Sequence, residues 1–598
     1  MSWGGNPILH HMLHLAIEKH LRQAVALVLP DVALNGIVLR PCADAKFGDY
    51  QTHSLMALAK ERKMNPRQLA TDVLKHLDVS AWCDGVEIAG AGFLNFRVKP
   101  SVIAHALGAP LAGAPLYFQP SENPRSVVID FSSPNVAKPM HVGHIRSTAL
   151  GDALSRMFRL LGHRVVTDNH IGDWGTQFGL LTVGWKQQLD REALARDPLG
   201  ELERLYKAVT AASEADSTVR EAARQELVKL QSGDPENLAI WKQMIDLSQS
   251  QFDAIYGRLG VKFDVTLGES FYNPQLKSVV QELRDRGIAS ESQGAICVFT
   301  DGAAPPKEDP FLVQKDGEWV PNPALIQKAD GAANYATTDL ATLAYRWQTW
   351  KPDEVIYVTD GRQQLHFRQI FATWHRWHPE LKASMRLAHV WFGSILGEDG
   401  KPFKTRSGET VKLADLLDEA EQRAFEVVTQ KNPELPEAER RQVARVVGLG
   451  AVKYADLSPN RQSDYVFSWD KMLSLQGNTA PYLQYAYARI RSIFRKAGAQ
   501  GLGPASAVVL KHADELSLAK YLLTFGITLE AAAAEYRPNY LCLYLYELAG
   551  LFARFYESCP VLKAEGDDRH TRLVLCEMTG RVLKQGLELL GIDVLEQM

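Results

Sequence analysis

The chain is 598 residues long, with 66 lysines and arginines against 70 aspartates and glutamates, a net charge of −4, and 46% apolar and 23% charged residues. That length exceeds what one hydrophobic core usually supports, so three or four domains are expected, and the ordinary mixture excludes wholesale disorder. The near-neutral balance neither demands nor forbids a nucleic-acid partner, because such binding needs a local basic face rather than a basic whole.

The best apolar run, Ala24 to Leu39, is cut by Pro30, Asp31 and Asn35 before it reaches the roughly 18 residues that span a bilayer, so no transmembrane helix is expected. The N-terminal region has no basic stretch followed by an apolar core and a small-residue cleavage site, and Glu18 interrupts its helical pattern. A cytoplasmic protein without membrane contact is expected. Six cysteines, Cys42, Cys83, Cys297, Cys542, Cys559 and Cys576, lie scattered with no C-x-x-C pair, which predicts core thiols in a reducing compartment and no structural metal.

Residues 1 to about 110 mix helical and strand patterns. Leu13 to Val28, Gln51 to Lys63 and Arg67 to Leu77 predict helices, and Val86 to Val98 predicts a strand pair around Gly90-Ala91-Gly92. Ala106 to Pro120, rich in Ala, Gly and Pro, predicts a linker. A buried-strand run, Val127-Val128-Ile129-Asp130-Phe131, then breaks at Ser132-Ser133-Pro134-Asn135 and leads through Lys138-Pro139 into His141-Val142-Gly143-His144 and a long helix. Ile145, Ala149, Ala153, Met157 and Leu161 recur every fourth residue, so one stripe of that helix is expected against a sheet, its N-terminus pointing out of the strand ends. Unpaired N–H groups and the positive end of the helix dipole favour a phosphate there. The two histidines add donors, and Gly143 leaves out a Cβ that would hold a purine or ribose away. A metal reading of His141 and His144 lacks a third ligand at suitable spacing.

Arg164 to Asp168 predicts a second strand in parallel pairing, followed by Gly172-Asp173-Trp174-Gly175-Thr176-Gln177-Phe178-Gly179. About 190–259 is charged and helical, a surface insertion, and Ile288 to Pro323 is a smaller insertion with short strands. From Asn334 to Trp347 helix returns, with Leu340, Leu343 and Ala344 as its core stripe and Thr337 or Thr338 as cap; Tyr335 and Asp339 share a face if the turn begins by Tyr335. The strand Glu354 to Thr359 ends in Asp360-Gly361-Arg362-Gln363-Gln364-Leu365-His366. Ligands of open α/β sheets bind at the carboxyl ends of strands, which places Gln363 and His366 in the crevice of His141. A third strand, His389 to Leu396, leads to the basic loop Gly397-Glu398-Asp399-Gly400-Lys401-Pro402-Phe403-Lys404-Thr405-Arg406-Ser407-Gly408. Its cations can stabilise triphosphate charge as that charge is displaced. After Asp415 a helical pattern runs to the end. Tyr482, Tyr485, Arg489 and Arg491 interleave aromatics with cations, suited to unpaired RNA bases and phosphates, while Tyr540, Tyr544, Phe552 and Phe555 read as core.

The run from Phe131 to Thr148, followed by Gly172 to Gly179, resembles the signature of class I arginyl-tRNA synthetases. Lys401-Pro402-Phe403-Lys404-Thr405 falls where that class keeps its second signature, with Pro402 and Phe403 departing from the general pattern. Arginyl enzymes often compensate such a weakened version with a lysine before the first histidine, here Lys138. The resemblance implies a Rossmann-like α/β catalytic domain (123–412, with insertions near 190–259 and 288–323). It also implies an N-terminal α+β domain against the tRNA elbow (1–122), a connecting helical region (413–470) and an all-α helical-bundle domain for the anticodon (471–598). The implied function is arginine-tRNA ligation, with ATP and Mg2+, arginine and tRNA(Arg) as substrates and partners of a monomer.

Carried over by residue, Asn135 and Gln363 hold the α-amino end of arginine, and Glu269, Tyr335 and Asp339 recognise its guanidinium. His141, Gly143 and His144 hold ATP, and Lys138, Lys401 and Lys404 reach its phosphates. The roughly 200-residue hydrolytic domain of editing synthetases is missing, as expected of a site whose buried charges reject an uncharged analogue by about 10⁴ unaided. Two alternatives stay open on residues alone: a small-molecule nucleotidylyltransferase, which has no use for a helical tail, and a synthetase-like RNA-binding protein that has lost catalysis.

Overall fold

The computed structural model describes residues 12–42, 44–404, 410–498 and 508–598. They form two compact units, one of Ser121–Leu473 and the other of the described residues up to Pro120 together with those from Ser474.

The first unit is built on a parallel sheet of four strands, β1 (Ser126–Asp130), β2 (Arg164–Asp168), β3 (Glu354–Tyr357) and β4 (Arg386–His389), in the order β4-β3-β1-β2. β1 and β3 are buried at every residue, as apolar runs covered on both faces must be. Three helices carry the connections: α1 (Gly143–Leu160), α2 (Tyr335–Trp350) and α3 (Gln364–Trp377). The predicted stripe of α1 is buried, but so are Arg146, Thr148, Asp152 and Ser155, so the helix is enclosed on nearly all sides and is not a surface helix. Polar residues cover it there because each has a bonded partner, a condition periodicity does not display.

Several expectations need correction. The fourth parallel strand lies at Arg386–His389. After Val390 the chain leaves the sheet, and Ile395–Leu396 pairs instead with Tyr465–Val466, a short strand inside the stretch expected to be all helix. Helix α2 is capped by Asn334, whose side chain accepts from the Tyr335 N–H at 2.9 Å. Thr337 and Thr338 lie buried one turn inside. The helical insertion is more than a surface feature, since its last helix, Pro235–Leu259, supplies Trp241, Ser248 and Tyr256 to the loops at the sheet edge.

In the second unit, helices Leu13–Val28, Ser54–Glu61 and Pro66–His76 accompany an antiparallel sheet of Arg40–Pro41, Tyr50–Thr52, Phe93–Val98 and Cys83–Ala89. Gln51, expected in helix, lies in that sheet. The expected linker is packed structure: Pro100–Gly108 is helical, Tyr117 is fully buried, and its carbonyl accepts from the Gly526 N–H at 3.1 Å. A Cβ at Gly526 would stand 2.2 Å from that carbonyl, so a small residue is required where the backbones meet. The remaining helices, among them Ala480–Ala497, Pro538–Ser558 and Gly566–Leu589, form a bundle. Ala513–Ala534 is long and apolar enough to cross a membrane, yet it breaks near Leu523 into two helices and its most apolar stretch is over half buried in protein. All six cysteines are free thiols, five of them buried.

Candidate active site

The turn after β1 is held in a conformation that its residues do not favour. Ser132, Ser133 and Ala137 all have positive φ (72°, 48° and 62°) without being glycine. Each costs roughly 1–3 kcal/mol and persists only where surroundings over-determine it. Those surroundings are present. Ser147 Oγ accepts from the Ser132 N–H (2.8 Å), Asn169 Oδ1 from the Ser133 N–H (3.1 Å), and Ser248 Oγ from the Ala137 N–H (3.0 Å). Ser132 Oγ pairs with the Tyr256 hydroxyl at 2.8 Å.

The turn ends in two imidazoles in contact, their centroids 4.0 Å apart and their planes tilted by 47°. His141 Nδ1 accepts from the Gly143 N–H (3.1 Å) and His144 Nδ1 from the His141 N–H (3.0 Å), an assignment that leaves each proton on Nε2. Burial lowers both histidines below the usual range, His144 to about 3, so both are neutral near pH 7. The result is two Nε2–H donors at the N-terminus of α1. Gly143 has a further role: a Cβ there would meet His141 Cε1 at 2.9 Å, so the glycine makes room for the imidazole itself.

The lysine loop is fastened beside this turn. Val142 N–H donates to Val411 O (2.9 Å) and Leu413 N–H to Met140 O (2.9 Å), so the segment leaving the loop runs along the histidine turn. Its entry folds back on itself, with Leu396 bridged to Pro402 and Phe403 stacked on Phe467 at 4.5 Å. Lys401 and Lys404 are exposed; Thr405, Arg406, Ser407 and Gly408 lie outside the described residues. Lys138 is also exposed, its ammonium 4.7 Å from the Tyr206 ring.

The other end of the same sheet edge is acidic. Glu269 opens the short helix Glu269–Tyr272 after Gly268. Its carboxyl is pushed up to about 7, mainly by burial and further by Asp339 and Asp173, with His170 opposing. Asp339 stands one turn into α2, its Oδ2 2.5 Å from His366 Nε2, and Tyr335, 65% exposed, lies one turn earlier with its ring 5.3 Å from that imidazole. Asn135 is bridged to Gly172, and Gln363 is exposed in the turn after β3.

Arg346, on α2 and fully buried, donates to Asp130 Oδ2 (2.6 Å) and Asp168 Oδ2 (2.7 Å), tying the helix to the ends of β1 and β2. Sequence reading missed that triad and also Asp173 and His170. His170 and Asp173 stand in or beside the glycine-rich loop Gly172 to Gly179; the partners of Arg346 are too distant along the chain to be paired by spacing.

The chain matches the family described as tRNA synthetases class I (R), catalytic domain, over residues 109–469. It also matches the arginyl tRNA synthetase N terminal domain over 15–98 and the DALR anticodon binding domain over 483–598. It is 45% identical over 591 residues to the arginine–tRNA ligase of Chromobacterium violaceum, covering 98% of this chain and all of that one. The chain belongs to the class I arginyl-tRNA synthetases. The ligase of Escherichia coli is 46% identical over 566 residues, 94% of this chain and 95% of its own. Among solved structures, the arginyl-tRNA synthetase of Plasmodium falciparum has a TM-score of 0.80 at 28% identity, covering 98% of this chain and 99% of that one. The Thermus thermophilus enzyme has 0.82 at 25% identity, covering 98% and 100%.

In the bundle of this synthetase, Tyr482, Tyr485 and Arg489 share one stripe of helix Ala480–Ala497, with Tyr485 47% exposed and the Arg489 guanidinium 4.8 Å from the Tyr556 ring. Arg491 does not join them. It points to another face and pairs with Glu596 (2.9 Å) and Glu577 (3.3 Å), a tie within the bundle. Among the described residues no cluster of three or more His, Cys, Asp or Glu side chains forms a metal site.

Proposed function

We propose that this synthetase joins arginine to tRNA(Arg) in two steps at the β-strand ends. The carboxylate of arginine attacks the α-phosphate of ATP and expels pyrophosphate; a terminal ribose hydroxyl of the tRNA then attacks the adenylate carbonyl and expels AMP. The observation that carries the reading is one sheet edge with two opposite chemistries. At one end is a half-buried carboxyl, Glu269, beside Asp339; at the other are two neutral imidazoles with Nε2–H groups to donate.

The Glu269 carboxyl, drawn out of water beside a second acidic group, is relieved by a cation, and a guanidinium offers its donors as a planar fork. In this reading Asp339 and Glu269 take the guanidinium, Tyr335 covers it, and Asn135 and Gln363 hold the α-amino end. His141 and His144 donate to ATP, Gly143 lets the rings close up, and Lys138, Lys401 and Lys404 meet the charge that moves onto pyrophosphate. ATP enters as its magnesium complex, the triphosphate supplying the oxygen ligands this ion prefers. Little covalent chemistry is asked of the protein, so positioning and fixed charge carry the rate.

Tyr482, Tyr485 and Arg489 are the proposed RNA contacts of the bundle. The antiparallel domain at the N-terminus is the proposed contact for the tRNA elbow. A cytoplasmic monomer is part of the same reading. Citrulline, the uncharged isostere of arginine, tests the pocket: arginine should be activated and citrulline rejected by about 10³ or more. Comparable activation of the two would overturn the assignment of Glu269 and Asp339.

A further inference from the structure

The segment Ile171-Gly172-Asp173 touches both proposed ends of the amino-acid site. On one side Gly172 is bridged to Asn135: its N–H donates to Pro134 O (3.0 Å), and its carbonyl accepts from the Val136 N–H (3.0 Å). The Asn135 side chain occupies the space a Cβ would take at Gly172, its Oδ1 only 2.2 Å from that position. On the other side Ile171 O accepts from the Glu269 N–H (3.1 Å). The Asp173 carboxylate grips the next residue twice, Oδ1 accepting from the Ser270 N–H (2.8 Å) and Oδ2 from Ser270 Oγ (2.5 Å).

Asp173 is only 5% exposed. Gly268 is small because Asp173 lies against it, a Cβ there falling 2.3 Å from the carboxylate. From behind, Trp241 Nε1–H donates to Asp173 O (2.9 Å), and its indole meets Trp174 edge-on at 5.9 Å. A three-residue segment, clamped from outside, therefore spaces Asn135 from Glu269.

We propose that Asp173 is a specificity-positioning residue and that Ile171-Gly172-Asp173 gauges the length of the amino acid, setting the distance between the groups that read its α-amino end and its guanidinium. The inference rests on the arginine-site reading above and adds to it a residue that touches no substrate. A buried carboxylate with two charge-assisted bonds holds its partner rigidly, and displacement of a binding group by about 1 Å costs on the order of 10²-fold. Releasing the Ser270 turn frees Glu269 to follow a longer or shorter side chain, so the discrimination between chain lengths falls together with arginine affinity.

The test is pyrophosphate exchange in the presence of tRNA, with arginine, its homologue one methylene longer and its homologue one shorter, on the full chain and on D173N and S270A. The amide of D173N keeps the shape but offers one acceptor where two are needed. S270A removes one bond and leaves the backbone intact, so it remains informative if D173N does not fold. The expected result is an arginine KM raised about 10- to 100-fold in D173N and less in S270A. The KM for ATP should stay within about twofold, and the preference for arginine over both homologues should shrink by about tenfold. Equal losses for all three amino acids, leaving the preference as in the wild type, would mean Asp173 only supports the fold and would overturn the inference alone. A wild type that does not activate arginine would overturn the pocket reading and this inference with it.

Discussion

Glu269→Gln is expected to make the free protein more stable and the enzyme useless for arginine. The carboxyl ionises at about 7 in the fold against 4.5 ordinarily, so between those values the unfolded chain binds fewer protons than the folded one and stability falls as pH rises. Each tenfold change in an ionisation equilibrium is worth about 1.4 kcal/mol, so the desolvated charge costs on the order of 3 kcal/mol above pH 7, taken as an upper bound. Glutamine carries no such cost. Urea unfolding should show the variant more stable than the wild type at pH 8, by up to about 3 kcal/mol, with the gap closing as pH falls through about 7 and gone near 4.5.

Arginine reverses the balance. Its guanidinium favours the ionised carboxyl, so binding near pH 7 should release a proton, and calorimetry in buffers of different ionisation enthalpy should detect it. For the same reason the wild-type KM for arginine should fall as pH rises through about 7, with the KM for ATP flat. A variant no more stable than the wild type at pH 8, or one that binds arginine normally, would refute both the electrostatic argument and the role given to Glu269.

Other perturbations separate the two ends of the site. His144→Ala and His141→Ala each remove an Nε2–H donor and should slow activation by about 10² to 10³ with arginine binding little changed; near-normal turnover would disconnect this turn from ATP. Asp339→Asn keeps the shape but removes the charge, at a cost of roughly 3 to 5 kcal/mol in arginine affinity, and titration should show ATP binding intact. Arg146, buried on α1, pairs with Asp456 (3.0 Å) and donates to Gly393 O (2.8 Å), thereby holding the root of the lysine loop. Arg146→Lys cannot reproduce that fork, so kcat should fall with little change in the KM for arginine; a change confined to that KM would contradict the assignment.

Features set by neighbouring residues were legible in the sequence. The strand into His141, the stripe of α1 and the Tyr335–Asp339 face all follow from local period and turn chemistry, and the structure keeps them. What joins elements distant in the chain was not legible. Arg346 reaches Asp130 and Asp168 across 216 and 178 positions, and Asp173 reaches Ser270 across 97. The left-handed backbone at Ser132, Ser133 and Ala137 was hidden because glycine usually marks that conformation and none of the three is glycine. Composition misled at Ala106 to Pro120, where small residues serve close packing. The ties of Arg491 to Glu596 and Glu577, 105 and 86 positions away, were hidden by distance along the chain.

Pyrophosphate exchange into ATP with each of the twenty amino acids, with and without tRNA, tests the central claim most directly. The geometry of the site predicts exchange with arginine alone, lysine failing because a point-charge ammonium cannot fill a fork shared by Asp339 and Glu269. It also predicts dependence on tRNA if the productive position of the lysine loop is a minor conformer in the free protein. Full activity without RNA would remove that coupling and leave the ligase. Exchange with lysine as good as with arginine, or none with any amino acid in either condition, would contradict the account.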